Sequence, residues 1–269
     1  MVFSQRIHGA IKAASFHLLI SALVASCAAA LVFMVWYPHP YGLLSGGLKL
    51  FLILVGVDVI CGPTLTLVLF NRQKLRRELV LDMSLVAIIQ LAALIYGLHI
   101  VYQARPLFLV HEVDRFRVIS IPDFLAEDIE RELAALDTTM RPHWYMGPIT
   151  VGIRPPKDNK ERQGVMLDSA FGGRDYSQRP DFYKPYDDAY RPTVLARAKP
   201  LKLFVERYPE SLHEALKQLE KSGVTLENAL FLPVLHKQEW IAILDPSAKI
   251  LGFLPGDGFI AASSGPKTP

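Results

Sequence analysis

The chain opens with three long apolar stretches, two uncharged and one with a single acid, and then changes to mixed and alternating patterns. No charged residue occurs from Ala13 through Leu48, a run broken only by the cluster Trp36-Tyr37-Pro38-His39-Pro40-Tyr41. Asp58 is the only charge between Lys49 and Arg72, and none falls between Asp82 and Arg105. Each stretch exceeds the roughly 20 apolar residues that carry a helix across a bilayer. Because backbone polar groups in lipid must be satisfied within the segment, the pattern predicts helical spans near residues 14–36, 48–70 and 80–102.

From Gln103 onward the pattern predicts a folded α+β domain over residues 103–269. Leu107 to Ile119 begins as a continuous apolar run and then alternates, which predicts a strand. Asp123 is placed to cap a helix from Phe124 to Leu136. A short strand over 147–154 and a helix over 161–171 follow. The segment from Gly172 to Pro200, rich in glycine, proline, charge and tyrosine, reads as an extended connection. Pro209 to Ser222 reads as a helix ended by Gly223. Strands are expected over 230–235, 239–244 and 250–254, the last two joined by an Asp245-Pro246-Ser247-Ala248 turn, and a frayed tail over Ser263 to Pro269. No internal repeat is evident.

Composition sharpens this division. The 269 residues are 51% hydrophobic with a mean hydropathy of +0.25, unusual for a soluble enzyme. The first 102 residues hold seven basic and three acidic side chains, the remaining 167 hold 22 and 23. The positive charge therefore belongs to the membrane part, and a nucleic-acid-binding face is excluded by the near-neutral remainder. Arg6 and Lys12 precede the first span, and Arg72, Lys74, Arg76 and Arg77 lie between the second and third. The positive-inside rule then puts the amino terminus and this loop in the cytoplasm and everything after the third span outside. Trp36, Tyr37, Tyr41 and Tyr102 fall at that outer boundary as an aromatic belt. Val24-Ala25-Ser26-Cys27 resembles a lipoprotein cleavage site, but the apolar run continues to Trp36, which favours a retained span. The two cysteines, Cys27 and Cys61, both fall in spans, where they read as packing residues.

Asp58 is the most informative residue of the membrane part. A carboxylate at mid-span is disfavoured by about 2.5–3.5 kcal/mol on insertion scales, so it is expected to face the bundle and find a partner, or to stay protonated. Span midpoints place Ser26, Asp58 and Gln90 at similar depth, and they form a candidate intramembrane polar cluster. The alternative is that Asp58 meets a transmembrane helix of another protein. Glycines and a proline in Gly56-Val57-Asp58-Val59-Ile60-Cys61-Gly62-Pro63 permit close helix approach.

Catalytic signatures are scarce. His213-Glu214 begins like a zinc-protease motif, but Lys217 stands where a second histidine is needed. His111, His143 and His236 lack ligand spacing, and there is no phosphate-binding loop or nucleophile elbow. No catalytic, cofactor-binding or metal-ligating residue is assigned and no cofactor is expected. The short cytoplasmic segments leave no room for a kinase.

Several segments together resemble the TfpX/TfpZ family of type IV pilin accessory proteins. They are Phe33-Met34-Val35-Trp36-Tyr37-Pro38, the Gly56 to Leu67 segment, Gln90 to Gly97, Val113-Asp114-Arg115-Phe116, Gly173-Arg174-Asp175, Gln178-Arg179-Pro180, Tyr183, Pro185-Tyr186 and Gly252-Phe253-Leu254-Pro255. The resemblance implies a multi-pass bacterial inner-membrane factor with a periplasmic domain that assists assembly of a cognate type IV pilin, and the architecture suits a non-enzymatic pilin-specific chaperone or modulator. Its expected partners are that pilin, the inner-membrane pilus machinery and membrane lipids. The competing class is a membrane-tethered enzyme acting on pilin or an envelope polymer. For pilin recognition the Gly172 to Tyr190 segment is the candidate, with Arg174, Tyr176, Arg179, Phe182, Tyr183 and Tyr186, since arginine and aromatic residues dominate interface hot spots. The opposing expectation is that the same aromatics pin a long loop while the arginines pair with Asp175, Asp181, Asp187 and Asp188.

Overall fold

The three apolar stretches of the first hundred residues form long helices. The computed structural model describes residues 2–70 and 74–259; Asn71, Arg72 and Gln73 of the cationic loop and the tail expected over Ser263 to Pro269 lie outside the described residues. The chain divides into two compact units, one holding residues up to 42 and 46–105, the other residues 43–45 and those from 106 onward.

In the first unit, α1 (Val2–Leu31) runs into a π-helical turn (Val32–Trp36), followed by the short α2 (Tyr41–Leu44), then α3 (Gly47–Leu69) and α4 (Arg76–Gln103). Three segments, Ile7–Trp36, Gly47–Leu69 and Arg76–Gln103, are long and apolar enough to cross a membrane. Packing joins α3 to both α1 and α4. The core of this unit sits at one end, where Ala28, Val32, Trp36, Tyr37, Phe51 and Val101 are buried together. There the Tyr37 hydroxyl donates to the Val101 carbonyl at 2.9 Å, Phe33 meets Phe51 edge-on, and the Arg105 guanidinium lies 3.6 Å from the centre of the Tyr102 ring. Elsewhere the large side chains point outward, as with Phe16, Leu19, Ile60 and Ile88. Three of the glycines sit under close contacts: a Cβ on Gly47 would strike the Tyr37 ring, one on Gly62 the Gln90 amide and one on Gly97 the Leu54 side chain, whereas Gly56 faces open space.

The second unit is a mixed sheet with helices packed on it. Its strands are β1 (Pro106–Glu112), β2 (Arg115–Ser120), β3 (Ile149–Ile153), β4 (Tyr183–Pro185), β5 (Lys199–Pro200), β6 (Leu230–Leu235), β7 (Glu239–Leu244) and β8 (Ile250–Pro255). The spatial order is β4-β3-β1-β2-β6-β7-β8, with β5 paired to β6. β1 lies parallel to β3, and β2 parallel to β6; the remaining neighbours are antiparallel. The helices are α5 (Ile129–Ala134), α6 (Asn159–Ala170), α7 (Arg191–Leu195), α8 (Leu201–Arg207) and α9 (Leu212–Glu220).

Two apolar clusters fill this unit. One gathers Phe108, Val110, Ile119, Phe124, Leu133, Val151 and Tyr183. The other packs Leu201, Phe204, Ala215 and Leu219 of α8 and α9 on Phe231, Ile241, Ile243 and Leu254. Ile243 and its neighbours on β7 are buried continuously, as expected of a strand covered on both faces.

Three local expectations change. The single strand read over Leu107 to Ile119 is a hairpin, because the chain reverses at Val113-Asp114 with Val113 in the left-handed region (φ 59°). The helix read from Phe124 to Leu136 contracts to Ile129–Ala134, since Pro122 and Phe124 belong to a 3-10 turn whose Asp123 side chain accepts from the Ser120 backbone at 2.8 Å. The extended connection from Gly172 to Pro200 contains two 3-10 turns, β4 and α7.

Candidate functional site

The intramembrane polar residues come together in part. Gln90 of α4 reaches across to α3 and its Nε2 donates to the backbone carbonyl of Asp58 at 3.1 Å. Ser26 donates to Ala22 of its own helix at 2.7 Å, so it is spoken for locally. The residues that line a cavity of about 210 Å³ with Asp58 and Gln90 include His17 and Ser21 of α1. His17 Nδ1 lies 2.6 Å from the Thr66 hydroxyl. His17, Ser21 and Thr66 carry no formal charge and escape a search for intramembrane charge. The signal that finds them is the antiparallel depth of α1 and α3, which brings residue 17 level with residue 66. Gln90 Oε1 is buried without a hydrogen-bond partner among the described residues.

In the second unit the six residues of the Gly172 to Tyr190 segment are engaged within the fold. Arg174 makes a two-pronged ion pair with Glu132 of α5, at 2.8 and 3.0 Å. Arg179 pairs with Asp168 at the end of α6. The partners of both arginines thus lie outside the segment and are not the aspartates expected. Phe182 and Tyr183 are buried, and the Tyr183 hydroxyl donates to the Ser177 carbonyl at 2.6 Å. Burial pushes that hydroxyl's pKa well above its ordinary value. Tyr186 donates to the Ala248 carbonyl at 2.6 Å, and the Tyr176 ring packs edge-on against Phe182. These side chains fix the path of the segment, and its functional potential lies in the cavities that this path walls.

Two adjoining cavities share Glu112, Val113 and Tyr176. The larger, about 900 Å³, is walled by Pro155, Pro156, Met166, Pro185, Ala189 and Tyr190 and carries Arg162, Lys184 and Arg197. The Tyr190 ring is seated on β3 at Gly152, where any Cβ would collide with it. Its hydroxyl accepts from the Ile153 backbone N–H at 2.9 Å and lies 2.9 Å from His111 Nδ1. His111 is 1% exposed, and burial lowers its pKa to about 4, so the ring is neutral. Glu112 beside it is shifted up by burial and by the Asp175 charge, against the opposing Ser177 hydrogen bond and Arg117 charge. At the edge of this cavity Arg154 forks onto Glu161 at 2.9 Å through both nitrogens, which holds the Glu161 carboxyl down at about 2.

The second cavity, about 870 Å³, is polar, with Arg117, Asp123, Asp175 and His236. His236 Nε2 stands 3.7 Å from the Asp123 carboxylate. Away from both cavities, Trp144, Tyr145 and Met146 are exposed, with His143 stacked on the Tyr145 ring. Among the described residues no group of three or more histidine, cysteine, aspartate or glutamate side chains is placed to hold a metal ion.

Three apolar helices of membrane-spanning length, compatible with a membrane anchor, are followed by a mixed α/β domain with a cation-bearing apolar cavity. A family model described as fimbrial assembly protein FimB matches residues 5–46. Over 259 residues the chain is 37% identical to the serogroup I fimbrial assembly protein of Dichelobacter nodosus, covering 95% of this chain and 98% of that one. It is 36% identical over the same length to the serogroup E1 protein of that organism. A third relative, named for serogroups C1 and C2, is 45% identical over 125 residues, which is 46% of this chain and 95% of that one. No solved structure matches. The chain belongs to the fimbrial assembly protein family, which bears out the resemblance to type IV pilus accessory proteins.

Proposed function

We propose that the protein acts in fimbrial assembly as a non-enzymatic accessory factor that engages a type IV pilin in the inner membrane. The observation that carries this reading is the match to fimbrial assembly proteins over nearly the whole of both chains. In this reading the amino terminus is cytoplasmic, the sheet domain is periplasmic, and the cations Arg6 and Lys12 near the start of α1 and those around Lys74 to Arg77 hold the topology. The bundle receives the pilin's apolar helix through the Asp58 and Gln90 region, and the sheet domain receives its head. Two weak linked contacts raise overall affinity without either being strong.

The test is deletion followed by measurement of surface pili with total pilin checked, and rescue with cognate and non-cognate pilins. Piliation is expected to fall while pilin remains present, and normal piliation would sink the reading. A second reading, a membrane-tethered enzyme, draws on the shifted pKa values of His111 and Glu112 beside the large cavity. Glu112→Gln separates the two: an accessory factor keeps piliation, whereas an enzyme relying on that carboxyl loses it.

A further inference from the structure

The large cavity of the sheet domain has unspent binding chemistry. Ile153 N–H occupies one lone pair of the Tyr190 oxygen, so the hydroxyl hydrogen is free to donate to His111 Nδ1. That arrangement places the single proton of the neutral imidazole on Nε2. His111 Nε2 has no hydrogen-bond partner among the described residues and neither has the Tyr176 hydroxyl, and both residues line the cavity. The wall therefore offers a donor without an acceptor, a situation disfavoured in a buried place unless something completes it.

Charge points the same way. Arg162 of α6, Lys184 of β4 and Arg197 just after α7 have no ion-pair partner among the described residues. The fourth cation, Arg154, is occupied by Glu161. Of the acids at the cavity, the Asp187 carboxylate already accepts from the Tyr190 backbone at 3.0 Å, and Glu112 is half-buried with its pKa raised. Between the cations the surface is apolar, with Met166 61% exposed on the same face of α6 as Arg162.

We infer that this cavity binds an extended segment of a partner protein in which carboxylate side chains alternate with apolar ones. The three cations stand on three different elements, which suits a polymer bearing several separated carboxylates better than one compact headgroup. A volume of about 900 Å³ falls in the range that encloses a ligand rather than a single side chain. The inference deepens the assembly reading by stating the chemistry of the recognised segment, and it rests on that reading only for who the partner is.

The test uses the full chain in lipid nanodiscs and a fluorescent decapeptide alternating aspartate with leucine and phenylalanine. Binding is expected for this peptide and not for its lysine-for-aspartate counterpart. The exposed charge reversals Arg162→Glu, Lys184→Glu and Arg197→Glu together are expected to weaken it at least tenfold. Met166→Asp is expected to weaken it as well. A control with the same change in charge, Lys202→Glu, Lys217→Glu and Lys221→Glu, is expected to leave it intact. Equal binding by the triple variant and its control, or no binding by the parent, would overturn the inference, as would displacement by glycerol 1-phosphate at equal concentration, which would assign the site to a lipid headgroup. Peptide binding is read on purified protein and piliation on cells, so failure of one is distinguishable from failure of the other.

Discussion

The helical unit and the sheet unit arrange their polar and apolar groups in opposite senses. In the bundle most large apolar side chains face outward, and beyond the buried aromatic end around Trp36, Tyr37 and Phe51 the inter-helix contact is made by small residues and a few polar bridges, such as Gly62 against Gln90. In the sheet domain Phe108, Phe116 and Phe231 are fully buried, and polar groups collect in clefts. The difference teaches where sensitivity lies. Burial of apolar area drives the sheet domain, whereas in lipid that drive between helices vanishes and packing and hydrogen bonds remain.

The strongest blow to this contrast falls on the sheet core. Phe108→Ala removes a ring packed between Phe124 and Tyr183 and is expected to destabilise that domain by about 3–5 kcal/mol. Proteolysis should report it as loss of the folded domain with the helices still in the membrane. Next comes acid. His111 has its folded pKa depressed from 6.5 to about 4, so the stability it contributes is complete above pH 6.5 and disappears as pH falls through 4, a total of about 3 kcal/mol. Glu161, held at about 2 by Arg154, adds a further loss below its ordinary value of 4.5. Denaturation of the protein across pH 7 to 3 checks this, and an unchanged midpoint would remove the buried neutral imidazole.

Tyr183→Phe is expected to cost about 1–3 kcal/mol by leaving the Ser177 carbonyl without its donor. Arg179→Ala beside it loosens the loop at Asp168. Reduced abundance of the double variant would mark these residues as fasteners, whereas full abundance with lost pilin co-purification would return them to the partner surface. The smallest effect belongs to the bundle. Gln90→Leu removes the bridge to Asp58 and is expected to change helix association by only about 0.6–1.7 kcal/mol. Cysteine crosslinking between α3 and α4 measures it, and a loss as large as that of Phe108→Ala would erase the contrast.

The legible parts of the fold are those where one period dominates. Long apolar runs marked the three apolar helices, and short apolar runs separated by Asp245-Pro246 marked β7 and β8 within a residue of the observed bounds. The reversal at Val113 was illegible, because valine at positive φ carries no turn signal. α8 was passed over although Leu201, Phe204 and Val205 stand at i, i+3 and i+4, a helical stripe in a segment between two prolines. The intramembrane cluster was half legible: equal depth identified Gln90 with Asp58 but could not tell that Ser26 bonds to its own helix, which depends on rotamer. The large cavity was hidden because its residues come from β1, β3, β4, α6 and α7, far apart in sequence. One hint was present in Gly152, since a glycine inside a strand marks close approach by something else, here the Tyr190 ring.

The division of labour around that ring has an evolutionary consequence. Gly152, Tyr190 and His111 interlock and admit little change, while Arg162, Lys184 and Arg197 are exposed and serve no partner within the described fold. Exposed substitutions of this kind usually move stability by no more than about 0.5 kcal/mol. On the proposed binding role, a lineage can re-address the rim to a different client by a few charge exchanges without passing through an unstable intermediate, because the residues that shape the cavity and the cations at its rim are separate.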